Sequence, residues 1–373
     1  MNQIPSLHSI SLLLLLILFS CQSSPQIQPS ECPAVVGASP EVGRSFSMGF
    51  TTWQFGPELA DQRDTYAFLD QEADIYAEHL DHRIPWQAWI TGEELPDAFT
   101  DEIQGKVNRR LPTHRLLLSV SVLNMGRSDL LEDMDGQPPA YDRMDDPHIE
   151  KAYFLHLSHL IEQFQPDDLV LSIEANELRI NNPDRWPEYQ NLIQAVRSRL
   201  KQSYPELPMA ESFTLHNWLA PEVEDEAEYL ADMQAHLQEQ DFLAVSFYPY
   251  FKGLHDQEDF QRAFDFLHQQ TELPIAFVET SHLAENLRIP DLNVDIASDI
   301  CEQQAYLATL LDNAQRHEYQ FVIWWAHRDF DALWATFPEE VKDLGQIWRD
   351  TGLLDEGGGE RPAMEVWRNW LER

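Results

Sequence analysis

LVLSIEANEL, residues 169–178, and PIAFVETSH, residues 274–282, are the stretches from which the fold is read. Each opens on apolar and β-branched residues, in a run too short for a helix, and each reaches a glutamate where the run stops. Short apolar runs of this kind are characteristic of strands buried on both faces. Such strands belong to parallel sheets, and a parallel sheet needs a crossover, usually helical, between consecutive strands.

Six more runs of the same kind lie on either side. The pattern predicts strands over Phe46–Trp53, Ile75–Leu80, Leu116–Leu123, Leu169–Ala175, Met209–Thr214, Phe242–Tyr248, Ile275–Glu279 and Phe321–Trp325. Helical periods fall between them. Ile149, Tyr153, Leu157, Leu160, Ile161 and Phe164 recur at three- and four-residue spacing, as do Leu192, Val196 and Leu200, and Phe260, Ala263, Phe264 and Leu267. Strands alternating with helices through eight units imply an α/β fold, a closed (β/α)8 TIM barrel in a single domain. In that architecture chemistry sits at the C-terminal ends of the strands, where Glu177 and Glu279 stand. Glu174 shares a face with Ser172 and Asn176 on period-two alternation and is expected to point inward, pair with a basic group or a water, and play a structural role.

The chain has 373 residues and a net charge of −39, from 25 basic and 64 acidic side chains. Such a surface repels phosphate backbones, so nucleic acid is excluded as a partner. Aromatic residues make up 11%, including 11 tryptophans, which is ample for both core and flat apolar binding faces. Ile10–Phe19 is an almost unbroken apolar run followed by Ser20 and Cys21, the form of a secretion signal rather than a membrane span. LFSC, residues 18–21, resembles the bacterial lipobox, whose cysteine becomes lipidated. The expected organisation is therefore a signal peptide over 1–20, lipidated Cys21 with a flexible tether over 21–44, and the barrel over 45–373. This implies an exported bacterial lipoprotein at the outer membrane or cell surface, held to the membrane by its lipid alone and otherwise a monomer. Gln22, where inner-membrane lipoproteins would carry Asp, fits the outer membrane. Export permits a disulfide between Cys32 and Cys301, and the spacing neither supports nor excludes it.

Asn176-Glu177 at the fourth strand, with Glu279 at the seventh, resembles clan A of the glycoside hydrolases. The resemblance implies retaining hydrolysis of a β-glycosidic bond in an extracellular polysaccharide or oligosaccharide. Glu177 would be acid/base, Glu279 nucleophile, and Asn176 a contact to the sugar 2-hydroxyl. DFLAVSFYPY (241–250) resembles the sixth strand of the clan, with Tyr248 holding the nucleophile. Arg83, in LDHRIP (80–85), resembles the arginine beside it. Trp324, in FVIWW (321–325), resembles the tryptophan beneath the sugar, and His216, in LHNW (215–218), a further polar contact. Trp53, Trp86, Trp89, Trp218 and Trp325, at or just past strand ends, are candidate subsite platforms, with core packing the alternative for each. Within the clan, the SFYPY run and the Glu-Thr pair at 279–280 look most like family 53, the endo-β-1,4-galactanases. Ala175 stands where that family has glycine, and the first strand ends MGFTTW without its aspartate.

No cofactor or metal is expected. His79, His82 and His327 lack the accompanying cluster that a catalytic zinc requires. The segment from His282 to Asp299 is long enough to fold over the cleft. Two rivals to hydrolysis remain: a carbohydrate-binding surface lipoprotein on a barrel without turnover, and a transglycosylase using the same residues.

Overall fold

The computed structural model describes residues 32–40 and 43–372. Cys21 and the apolar run before it, which carry the lipidation reading, lie outside them. The strands are β1 (Ser47–Thr51), β2 (Ile75–Leu80), β3 (Arg115–Val120), β4 (Asp168–Val170), β5 (Met209–Ala210), β6 (Ser212–Thr214), β7 (Leu243–Phe247), β8 (Ile275–Thr280), β9 (Leu287–Ile289), β10 (Val294–Ile296) and β11 (Phe321–Trp324). Nine of them form one sheet in the order β5-β4-β3-β2-β1-β11-β8-β7-β6. Every pairing in it is parallel. β5 and β6 are one strand interrupted at Glu211, so the sheet closes on itself as the expected (β/α)8 barrel, with β7, β8 and β11 as sixth, seventh and eighth staves.

Inside the barrel, Ile75, Leu117, Val170, Ala210, Ala276 and Ile323 belong to one apolar cluster that excludes water. A second, larger cluster joins the outer faces of the strands to the helices. The helix Pro147–Phe164 buries all six positions named from its period, and Asp146 caps its start by accepting from the His148 amide. The helices Trp186–Ser203 and Gln257–Gln270 likewise bury the stripes read from the sequence.

The fourth strand is shorter than its apolar run suggests. Regular strand ends at Val170, although Leu171, Ser172 and Ala175 still make backbone hydrogen bonds to Ala210 and Ser212; Glu174 takes a left-handed backbone at φ 55°, and a short helix, Asn176–Asn181, follows. β8 carries an irregularity: Val245 pairs with Phe277, but the next residue, Ser246, pairs with Glu279. The extra residue re-aims the strand end, as bulges do. Val278 stays in the barrel interior, and the adjacent Glu279 also faces inward.

Residues of the stretch read as a tether rest on the barrel. Cys32 is disulfide-bonded to Cys301, with Cα atoms 5.3 Å apart. Val36 exchanges hydrogen bonds with Gln257, and the Trp370 indole donates to the Gly37 carbonyl. Among the described residues, no helix is long and apolar enough to cross a membrane.

Candidate active site

Side chains at or just past the C-terminal ends of β1, β2, β8 and β11 meet in a cavity of about 430 Å3. Glu279 stands on one side, 7% exposed. The Tyr248 hydroxyl, one residue past β7, donates to its Oε1, and His79 Nδ1 lies 3.4 Å from Oε2. Glu174 lines the same cavity. Ser246 donates to Glu174 Oε1 at 2.9 Å, and Arg127 Nε donates to Oε2 at 3.2 Å. Arg127 also grips Asp81, with contacts of 3.0 and 2.5 Å. Trp53, Trp325, Phe330, Phe337, Leu344 and Trp348 form an apolar wall. Trp53, Trp325 and Trp348 have indole N–H groups without a hydrogen-bond partner among the described residues.

Burial governs the charges. It pushes Glu279 up to about 8, with the nearby Glu174 carboxylate adding to the rise and the Tyr248 hydrogen bond and Arg127 opposing it. Two acidic groups in one low-dielectric space resist ionising together. Burial also lowers His79 to about 4, so it is neutral at ordinary pH. Asp81 is held below the usual carboxylate range: burial works against this, and the Arg127 pair overcomes it. Glu177 is raised, chiefly by burial, while Thr214 and Asn217 pull it back.

The structure sorts the residues anticipated from sequence. Glu279, Tyr248 and Trp53 come together. His216 is buried beside Tyr248 and Phe251, with ring centroids 6.5 and 5.3 Å away. Glu177 sits on the short helix after β4, where Thr214 and Asn217 donate to its Oε1, and it does not line the cavity. Asn176 is wholly buried. Its amide bonds Thr214 and the Tyr229 hydroxyl, leaving it turned toward the helix layer rather than the cavity.

Three expectations are corrected. Arg83 is exposed and donates to the Met134 carbonyl; it does not approach Glu279. Trp324 is wholly buried, donating to the Thr351 carbonyl, because strand alternation turns it outward and turns Trp325 in. Trp86 is core: its indole donates to the Leu131 carbonyl, and its ring packs near Tyr153. Glu174 does pair with a basic group, Arg127, but does so inside the cavity.

Asp81, Arg127 and Trp348 are contributors that sequence reading missed. Asp81 lies in the quoted LDHRIP run, and one further step of alternation from His79 would have reached it. Arg127 and Trp348 come from connections without periodicity and carry no such signal. The segment from His282 to Asp299 forms the β9–β10 hairpin. Its Leu287 and Ile289 pack with Ile347 and Trp348, so it braces the cavity wall from behind and contributes no lining residue.

No family model matches the sequence, and no curated protein does. Solved structures do match. The GH53 catalytic domain of Ignisphaera aggregans superposes with TM-score 0.58 at 16% identity, covering 91% of this chain and 99% of that one. A GH5_18 protein from Streptomyces cattleya, solved with GlcNAc, gives TM-score 0.62 at 14% identity, covering 89% and 81%. A GH5_18 protein from Bifidobacterium longum, solved with Manβ1-4GlcNAc, gives 0.61 at 13%, covering 86% and 77%. The likeness shows the fold: the chain has the (β/α)8 barrel of these GH53 and GH5_18 structures.

Proposed function

We propose that the chain is a retaining glycoside hydrolase acting on a β-linked carbohydrate outside the cytoplasm. The observation that carries this is Glu279, buried at the end of the seventh stave and clasped by Tyr248 beside the Trp53 and Trp325 indoles. A carboxylate so placed can attack an anomeric carbon, and the indoles give the CH faces of a sugar a surface to stack on. The second carboxylate comes from the end of the fourth stave, where Glu174 and Glu177 stand three residues apart. The likeness in sequence to family 53 makes β-1,4-galactan the first substrate to try. Export as a monomeric lipoprotein anchored at Cys21 completes the reading, and the Cys32–Cys301 disulfide suits an oxidising compartment.

The test is reducing-end release by the purified chain on β-galactan, β-glucan, β-mannan and β-xylan, with Glu279→Ala in parallel. Release from one polymer, abolished in the variant, is expected. Release undiminished in the variant would falsify the assignment of Glu279. One observation favours a binding protein as second reading. Burial and the nearby Glu174 carboxylate raise Glu279 to about 8, and in the cavity it shares with the Trp53 and Trp325 indoles its protonated form can donate a hydrogen bond to a sugar hydroxyl. Saturable binding to a polymer that is never cleaved would select that reading.

A further inference from the structure

We propose that Glu174, rather than Glu177, is the second catalytic carboxylate, working across the cavity from Glu279. The inference rests on the glycosidase reading and specifies its chemistry.

The two fourth-stave glutamates have different surroundings. Glu177 belongs to a polar knot and does not line the cavity. Thr214 and Asn217 donate to its Oε1, and Thr214 is in turn bonded to Asn176, which reaches Tyr229. Glu174 follows Ile173, which lies in the barrel interior, and its side chain shares the cavity with Glu279. Its carboxylate is fixed from two sides, by Ser246 on the sixth stave and by Arg127 from the connection after the third. Glu174 and Arg127 both have left-handed backbones, at φ 55° and 46°, and they bond one another across the cavity rim. Non-glycine residues take that conformation at an energetic cost, and such residues cluster where a side chain must be aimed.

The chemistry closes on these groups. In the reactive state the proton held by the pair is on Glu174. It passes to the glycosidic oxygen as the bond from that oxygen to C1 breaks, releasing the leaving group as an alcohol, while a Glu279 oxygen bonds C1. Water then attacks C1, its proton returns to Glu174, and the bond between C1 and Glu279 breaks. One water is consumed, and both carboxyl groups end as they began. Arg127, neutralised on its other side by Asp81, steadies the Glu174 carboxylate between the two steps.

The experiment uses the full chain with Glu174→Gln, Glu174→Ala, Glu177→Gln and Glu279→Ala. The probes are the polymer cleaved by the wild type and the 2,4-dinitrophenyl β-glycoside of the same sugar, whose leaving group needs no proton. Loss of a general acid is expected to slow Glu174→Gln roughly 10^2- to 10^4-fold on the polymer. The dinitrophenyl glycoside should remain a substrate. Azide should accelerate Glu174→Ala and give a β-glycosyl azide, with retained configuration. Glu177→Gln should stay within about tenfold of wild type, since its role is one hydrogen-bonded knot. The assignment is overturned if Glu177→Gln shows the acid/base pattern in place of Glu174→Gln. It is equally overturned if a folded Glu174→Ala loses both substrates alike and ignores azide. A wild type that cleaves nothing defeats the glycosidase reading itself, which separates the two failures.

Discussion

Glu279 shows how a single side chain is set by what surrounds it. In water a glutamate ionises near its ordinary value, but the barrel mouth removes water and supplies a second carboxylate, moving it up to about 8. The sign of the consequence follows from linkage. The folded state holds the proton more tightly than the unfolded state. This stabilisation is therefore fully present below the ordinary glutamate value and is lost as pH rises through about 8. The cost over that window is on the order of a few kcal/mol. Thermal melts of the wild type should fall between pH 5 and pH 8.5, and Glu279→Gln, which cannot ionise, should fall less, with the two curves diverging upward from about pH 5. Parallel curves would show that Glu279 is ionised in the folded protein.

At the scale of elements, the molecule is closed by features that interrupt regular structure. The break at Glu211 lets one stave pair with β4 before it and β7 after it. The irregularity in β8 brings Glu279 to the inner face beside Val278. Outside the barrel, the Cys32–Cys301 bond fastens the N-terminal stretch to the helix Ile300–Arg316, across 269 residues of sequence. Closing so long a loop restricts the unfolded chain strongly, so Cys301→Ser should lower stability by about 2–5 kcal/mol. Calorimetry with and without reductant checks this: the wild type should melt several degrees lower when reduced, and Cys301→Ser should not respond. Equal melting of oxidised and reduced wild type would show that the bond adds nothing.

For the whole molecule the governing quantity is a net charge of −39. Self-repulsion on that scale opposes compaction, and salt screens it over about 10 Å at 0.1 M. Raising sodium chloride from 0.02 to 0.5 M should therefore raise the melting temperature, with the gain levelling off as screening saturates. A fall in melting temperature would mean that surface ion pairs such as Arg143–Asp145 and Arg262–Asp259 outweigh the repulsion. The same charge discourages anionic polymers from approaching, consistent with a neutral polysaccharide as substrate.

The sequence by itself determined the stave count, the barrel and the place of Glu279 at a strand end, and the resemblance of the sixth strand put Tyr248 beside it. Buried strands and amphipathic helices write their partners into local periods, and a strand end follows directly from where an apolar run stops. It also held Trp53 at the mouth, one alternation beyond β1. Tertiary structure decided which of two adjacent tryptophans faces the cavity, which of two strand-four glutamates meets Glu279, and that Arg127 rather than Arg83 supplies the cation. Those outcomes depend on the register of β11 in the closed sheet, on a left-handed residue and on an aperiodic connection. Each is fixed by contacts distant in sequence, so no local pattern records it.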